Sequence, residues 1–198
     1  MPLIQEVPEL SAYLGADEAI DHEHPLVRET AARLAPVGAD AYTYAEAAFV
    51  FVRDTIPHSM DSGDLRVTWR ASDVLEQRTG ICYAKAHALT ALLRARGLPA
   101  ALCYQGLGGY QGLGVVHGLV AVRLPGEERW ARQDPRGNKP GVDARFSLGV
   151  ERLAFALRPE CSEVGYPVLY AAPHPAVLTV LKAARDRPHL DRTLPATL

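Results

Sequence analysis

The spacing of apolar residues predicts that the first part of the chain is helical. In residues 25–34 they recur every three or four positions, which places them on one helix face, and Pro25 suits the first turn because no N–H is needed there. Thr43 and Glu46 form a capping-box pattern that predicts the start of a second helix, which runs to about Ile56.

The middle of the chain predicts a loop and two further helices. Residues 58–70 are rich in turn-forming types and predict a surface loop. Asp73 and Glu76 repeat the capping-box pattern and predict a short helix. The next helix begins at Cys82 and ends at Gly97, because glycine favours the left-handed conformation that closes many helices.

Strand-like patterns follow this helix. Strands are predicted over residues 100–105, 115–123 and 129–133, with a hairpin turn at 124–127 between the last two. Helices followed by antiparallel strands indicate an α+β fold, and no linker or repeat divides the chain, so residues 1–198 are expected to form one domain.

The pattern is weaker beyond residue 141. Residues 142–146 and 151–156 are predicted as strands or sheet edges, and residues 174–185 as a helix. The tail from Pro188 is predicted to be loosely ordered.

Composition narrows the classes of function. The formal net charge is −2 and no long basic run is present, so there is no electrostatic reason to expect nucleic acid. No apolar stretch approaches the roughly 20 residues that cross a bilayer, and the acidic N-terminus is unlike a signal peptide. The three cysteines, Cys82, Cys103 and Cys161, are widely spaced, which argues against disulfides or zinc and predicts a reducing, cytoplasmic location.

Cys82 is the main candidate for chemistry. A buried free cysteine is more often a small core residue. At a helix start, however, the positive end of the helix dipole favours the thiolate, and Gly80 lets the backbone turn sharply into the helix. The free N–H of Cys82 could also help to form an oxyanion hole.

Two later residues supply what a cysteine nucleophile requires. His117 lies in an apolar strand, where strand alternation places it on a core-like face with Leu119 and Ala121. Asp134 follows the next strand and precedes a proline, a position that also suits a plain turn initiator. If the hairpin sets the two strands side by side, Asp134 can orient the ring of His117, which can take the thiol proton of Cys82.

The segments around these residues resemble three characteristic blocks of the transglutaminase-like superfamily. They are GICYAKA at 80–86, VHGLVAV at 116–122 and DPRGN at 134–138. The resemblance covers roughly residues 40–146 and is closest to small bacterial members. It implies a papain-like α+β core, in which the nucleophile-bearing central helix packs on an antiparallel sheet.

The resemblance also implies roles and a reaction class. Cys82 would be the nucleophile, His117 the base and acid, and Asp134 the orienting group, with no metal or cofactor. The family includes protein cross-linking enzymes, peptide-N-glycanases and bacterial cysteine peptidases. For a chain of this size, hydrolysis of a peptide or protein amide or isopeptide bond is favoured over cross-linking. Two alternatives stay open: an acyltransferase similar to arylamine N-acetyltransferases, and a non-catalytic binding module.

Other motifs have weaker functional interpretations. Asp21-His22-Glu23-His24 has the composition of metal ligands but suits a turn and helix start better, and no further cluster completes a coordination shell. Trp69, just upstream of the nucleophile, is expected to pack beneath the loop. The glycine-rich segment 106–114, flanked by Gln105 and Gln111, lacks a nucleotide-binding pattern and is either a mobile lip over the site or a plain hairpin tip.

Two further groups of side chains have open roles. Tyr83 and Tyr104 could line the cleft or serve the core. Arg136 and Lys139 could attract an acidic substrate or be ordinary exposed basic residues. The substrate, the acceptor and the oligomeric state are not determined by the sequence.

Overall fold

The computed structural model describes residues 2–35, 37–108 and 114–198. Within these ranges five helices precede the strands of the main antiparallel sheet, as predicted, and two more helices follow those strands. The helices are α1 (Pro25–Leu34), α2 (Ala41–Thr55), α3 (Ser59–Ser62), α4 (Ala71–Gln77), α5 (Cys82–Arg94), α6 (Pro175–Ala183) and α7 (Arg187–Thr193). Short 3₁₀ turns cover Leu10–Leu14 and Pro159–Cys161. The predicted α+β class is confirmed.

The main sheet has four antiparallel strands in the order β4-β3-β2-β5. They are β2 (Ala100–Leu107), β3 (Val115–Val122), β4 (Ala131–Gln133) and β5 (Val164–Gly165). A separate two-stranded parallel sheet pairs β1 (Ile4–Gln5) with β6 (Val168–Leu169). The predicted hairpin between β3 and β4 is confirmed, with the Glu127 N–H donating to the Leu124 carbonyl at 3.0 Å.

Helix α5 is the centre of the molecule. Twelve of its residues, Tyr83 to Arg94, are buried, so that the helix is surrounded by α1, α2, α4 and the sheet. Such a helix needs apolar or small side chains all round, and seven alanines and leucines in Ala84–Leu93 bring the neighbouring helices close. Arg94 ends it with hydrogen bonds to the carbonyls of Gly15, Ala100 and Ala171. The cysteine at its start is thereby fixed relative to the sheet.

Several predicted boundaries were wrong. Helix α2 begins at Ala41, and its N-cap is Asp40, whose carboxylate accepts the Thr43 N–H at 2.8 Å, so Thr43 is not the cap. Helix α4 begins at Ala71, so Asp73 lies inside its first turn. An acidic side chain is favourable both at the N-cap and in the first turn, because both face the positive end of the helix dipole. An acidic residue near a helix start therefore locates that start only to within two or three residues.

The C-terminal part differs most from the prediction. Residues 142–146 and 151–156 are not strands, whereas the short strands β5 and β6 were missed. The tail that was expected to be loosely ordered contains helix α7, capped by Asp186, whose carboxylate accepts the His189 N–H at 2.7 Å. Leu190 anchors this helix with no exposed surface, so long-range packing stabilises a segment whose local signal is weak.

No helix in the described ranges is both long and apolar enough to cross a bilayer.

Candidate active site

The backbone before α5 is packed tightly enough to require glycine at position 80. A Cβ on Gly80 would lie 3.0 Å from Ala84 Cβ and 3.2 Å from Thr68 Oγ1. Gly80 also forms a parallel bridge with His58, and its carbonyl accepts the Ser59 N–H at 3.1 Å. This close pairing aligns the segment after α2 with the turn into α5 and leaves the Cys82 side chain partly exposed.

Strand β3 approaches the start of α5 through Gly118. A Cβ there would lie 2.7 Å from Tyr83 Cδ1 and 3.3 Å from Tyr83 Cα, distances that a side chain cannot occupy. Helix α5 therefore packs on the Gly118 face of β3, and not on the face that carries His117 as the sequence suggested. Leu119 and Ala121, which share the face of His117, belong to a second, smaller apolar cluster on the other side of the sheet.

His117 reaches the nucleophile from the edge of the sheet. Strand β4 pairs only with Val120–Val122, so it does not cover β3 at His117. The loop that follows β4 brings Asp134 to this position, where Asp134 Oδ2 lies 2.8 Å from His117 Nε2. The predicted meeting of these two side chains across the hairpin is confirmed.

Asp134 is fully buried and holds its charge through three donors. Besides His117, the backbone N–H groups of Ala154 and Arg136 donate to its two oxygens at 3.0 and 3.1 Å. Burial alone would raise the pKa of Asp134, but the charge of His117 and these hydrogen bonds keep the pKa below its ordinary value. The carboxylate is therefore ionised across the physiological range.

The protonated ring of His117 is stabilised from both sides. Burial disfavours its charge, but the Asp134 carboxylate and the Cys82 sulfur outweigh burial and raise the pKa of His117 to about 10. Because Nε2 faces Asp134, Nδ1 is the nitrogen left for the hydrogen bond with the Cys82 thiol. The ring edge is fixed by Phe155, whose ring centre lies 5.1 Å away at an angle of 82°.

A second histidine contacts the nucleophile and was missed in the sequence. His58 lies in the segment predicted as a surface loop, yet it is 6% exposed, and its Nε2 accepts the backbone N–H of Cys82 at 3.1 Å. Burial, followed by the nearby charge of Arg136, lowers the pKa of His58 to about 3, so this ring is neutral. The N–H that was expected to face the oxyanion is thus bonded to a side chain.

Buried and half-buried charges connect the loops that carry these groups. Arg136 donates to both carboxylate oxygens of Asp61, at 2.7 and 3.2 Å, and Lys139 donates to the same carboxylate at 2.7 Å. The two basic residues considered for an acidic substrate are therefore paired within the protein. This pairing joins the loop after Asp134 to the short helix that follows His58.

Lys85, one turn after the nucleophile, was also missed. Its ammonium group donates to the Ile56 carbonyl, and to the Arg53 carbonyl at 3.2 Å, both at the C-terminal end of α2. Burial lowers the pKa of Lys85 to about 7. No sequence signal separates this lysine from a solvated one, but its position on the most buried helix could have drawn attention to it.

These side chains surround a cavity of about 520 Å³, a size that suits a small ligand or part of a peptide. Cys82, His117 and His58 line it, together with apolar residues and three charged residues. The apolar group includes Met60, Leu107, Phe155 and Leu194, and the charged residues are Arg136, Arg158 and Glu163.

The remaining candidates lie elsewhere. Trp69 packs against the core and carries Arg70 and Lys182 over its ring, 4.4 and 5.2 Å from the ring centre. Tyr83 lines the cavity while being buried, and its hydroxyl donates to the Val116 carbonyl. Tyr104 is in the core, where its hydroxyl accepts the His174 N–H.

The motif at 21–24 has a structural role. His24 is the N-cap of α1, with its Nδ1 accepting the Leu26 N–H at 3.3 Å, and Asp21 accepts the Ser72 N–H at 3.1 Å. Within the described ranges no three metal-ligating side chains come together. Of the glycine-rich segment, Leu107 ends β2 and lines the cavity, while the proposed lip at 109–113, with Gln111, lies outside the described residues.

A known family matches the part of the chain that contains this site. Residues 28–135 match the model of the transglutaminase-like superfamily, a range that includes the nucleophile candidate and both partners. The chain therefore belongs to the transglutaminase-like superfamily, as its sequence blocks indicated.

Among solved structures, one agrees at the level of the fold, and another has a lower similarity. A candidate cysteine protease from Cytophaga hutchinsonii is 18% identical, with a TM-score of 0.53 over 66% of this chain and 43% of that one. The periplasmic domain of TgpA from Pseudomonas aeruginosa is 23% identical, with a TM-score of 0.43 over 62% and 45% of the two chains. This chain thus spans less than half of either structure. No curated protein matches it.

Proposed function

We propose that the protein is a cysteine enzyme that hydrolyses an amide or isopeptide bond of a peptide or protein. The observation that carries the proposal is the buried pair of His117 and Asp134, 2.8 Å apart, with the Cys82 thiol on the other ring nitrogen. A histidine ring between a thiol and a carboxylate, at the wall of a cavity, is the arrangement of a catalytic triad: the thiol is the nucleophile, the ring its base and the carboxylate the orienting group.

The proposed reaction has two stages. His117 takes the thiol proton, and the Cys82 thiolate attacks the carbonyl carbon while the carbonyl π pair moves to oxygen. The C–N bond then breaks, His117 gives the proton to the leaving amine, and a thioester remains on Cys82. Water, deprotonated by His117, attacks the thioester and releases the carboxylic acid and the free thiol.

Hydrolysis is favoured over transfer by the exposure of the nucleophile. Cys82 is partly exposed at an open cavity, so water can reach the thioester without a conformational change. The three candidate residues and the family support the same chemistry. In this proposal Asp134 acts through His117 and needs no metal or cofactor.

The first test is the rate at which iodoacetamide alkylates each cysteine. The buried Cys103 and the exposed Cys161 are internal controls, because one is protected and the other is an ordinary accessible thiol. We expect Cys82 to react faster than Cys161 near neutral pH, and His117→Ala to remove the difference. Labelling of Cys82 no faster than Cys161 would favour a non-catalytic binding module.

The second test is turnover. A screen of peptide amides and isopeptides should give an activity that Cys82→Ala abolishes while the circular dichroism spectrum stays native. Transfer to an added amine in preference to water would make the enzyme a transferase. A Cys82→Ala protein with full activity would contradict the mechanism.

A further inference from the structure

The second histidine, His58, is not used by the mechanism above. It is 6% exposed, it lines the same cavity as Cys82 and His117, and its Nε2 occupies the one backbone donor that a developing oxyanion needs. An oxyanion hole requires donors about 2.7–3.1 Å from the negative oxygen, placed before the reaction occurs. The contact between His58 and Cys82 therefore lies where charge would develop.

The ring is free to change which nitrogen carries its proton. When Nε2 accepts the Cys82 N–H, the proton of the neutral ring is on Nδ1. Yet Nδ1 is buried and has no hydrogen-bond partner in the described part of the chain. The tautomer of a histidine is normally fixed by the partner of its second nitrogen. Nothing of that kind holds the proton of His58 on Nδ1.

We propose that His58 is a catalytic residue, the second donor of the oxyanion hole, which gives an Nε2–H hydrogen bond to the carbonyl oxygen beside the N–H of Cys82. The two nitrogens are 3.1 Å apart along their own hydrogen bond, so the ring has to tilt away from the Cys82 N–H before one oxygen can accept from both. In the resting protein the ring accepts the Cys82 N–H. The substrate oxygen replaces that bond and selects the tautomer with its proton on Nε2.

Neutrality suits His58 for this role. Burial and the nearby Arg136 oppose a charged ring, so the imidazole stays neutral beside the nucleophile and does not compete with His117 for the thiol proton. A neutral imidazole can still polarise a carbonyl by hydrogen bonding. The two histidines are thereby distinguished by their surroundings: His117 is bonded to a carboxylate, whereas Nδ1 of His58 has no hydrogen-bond partner among the described residues.

The surrounding residues hold the backbone of His58 in place. Lys85 binds the Ile56 carbonyl, two residues before His58, and the His58 carbonyl accepts the Asp61 N–H at 2.9 Å. Asp61 is in turn held by Arg136. An oxyanion donor must be positioned before the charge develops, and these contacts fix the backbone on both sides of His58.

The test compares two reactions of the same thiol. Acylation by p-nitrophenyl acetate passes through a tetrahedral oxyanion, whereas alkylation by iodoacetamide is a displacement at carbon that forms none. We expect His58→Phe to slow the acylation burst by about 10²–10³-fold while leaving the alkylation rate of Cys82 close to that of the wild type. His58→Gln, whose amide can donate from a similar position, should recover part of the acylation rate.

A matched control is His87→Phe. His87 is also buried, lies on α5 and has one unpartnered ring nitrogen in the described part of the chain, but it does not line the cavity. The His87→Phe variant should acylate at the wild-type rate, provided that its circular dichroism spectrum shows a native fold. A parallel loss of acylation and alkylation in His58→Phe, or unchanged acylation, would overturn the assignment.

The inference rests on the proposed function, and its failure can be told apart from failure of that function. A wild-type protein that shows no Cys82-dependent acylation would refute both. A wild type that acylates, with a His58→Phe variant that acylates equally, would refute the oxyanion role alone.

Discussion

Replacing Asp134 with asparagine tests the buried pair most directly, because the shape is retained while one acceptor becomes a donor. The carboxylate accepts from His117 and Ala154 on Oδ2 and from Arg136 on Oδ1. An amide has only one acceptor oxygen. If that oxygen takes the place of Oδ2, the amide hydrogens face the Arg136 N–H; if it takes the place of Oδ1, they face His117 and Ala154.

Either orientation of the new amide lowers the stability of the folded protein. One buried donor left without a partner costs about 1–3 kcal/mol of unfolding free energy. For a chain of this size, 2 kcal/mol corresponds to a fall of about 4–8 °C in Tm. The second orientation also forces the His117 proton onto Nδ1, which can then no longer accept the proton of Cys82. In a serine protease triad the same substitution lowers kcat by about 10⁴-fold, so we expect a loss of about 10²–10⁴-fold here.

The assay is the Cys82-dependent acylation burst, measured together with Tm. Asp143→Asn is the control, because Asp143 is an exposed carboxylate whose ion-pair partner in the described part of the chain is Arg145, two residues later. It should leave both quantities unchanged. An Asp134→Asn protein with wild-type acylation would show that the ring of His117 needs no carboxylate, and the triad assignment of Asp134 would be wrong.

Two further predictions concern packing and pH. Gly118→Ala places a Cβ 2.7 Å from the Tyr83 ring, so we expect α5 to shift away from β3. The acylation rate should fall by about 10²-fold and the free energy of unfolding by about 1–3 kcal/mol. The control is Gly149→Ala, whose Cβ meets nothing within 4 Å and should leave both quantities unchanged. The pKa of His117 is raised to about 10 in the folded protein against about 6.5 unfolded, so its stabilisation is complete below pH about 6.5 and is lost as the pH rises toward 10. In urea titrations the stability difference between wild type and His117→Asn should shrink over that interval, and a difference independent of pH would show that the folded ring is not protonated.

The sequence was sufficient to predict those elements whose conformation depends on neighbouring residues in the chain. Pro25 fixed the start of α1 and the turn at 124–127 fixed the hairpin. Antiparallel pairing then sets the distance between the strands, so the meeting of His117 and Asp134 could be predicted on the assumption of a suitable strand register. The start of α5 at Cys82 was also predicted, although the glycine before it serves close packing against Thr68 and the bridge to His58 and has no left-handed conformation.

The residues that sequence reasoning missed depend on contacts between distant segments. His58 is a single polar residue in a turn-rich stretch with no period, and its burial follows from the bridge to Gly80 and from Lys85 holding the end of α2. Helix α7 is similar, since the Arg187 N–H donates to the Leu65 carbonyl and Leu190 is buried among remote residues. A short helix gains little from its own hydrogen bonds, so tertiary contacts determine whether it forms.

The sequence by itself determined the α+β class, the family and three candidate residues of the site, because periodicity, turn chemistry and local motifs specify these directly. The tertiary structure decided which sheet face meets α5 and which side chain occupies the Cys82 N–H. Strand alternation defines two faces but does not say which one a helix covers. Helix α5 can approach β3 closely because Gly118 has no side chain opposite Tyr83. This contact depends on two distant segments of the chain being brought together, so it cannot be seen in either segment alone.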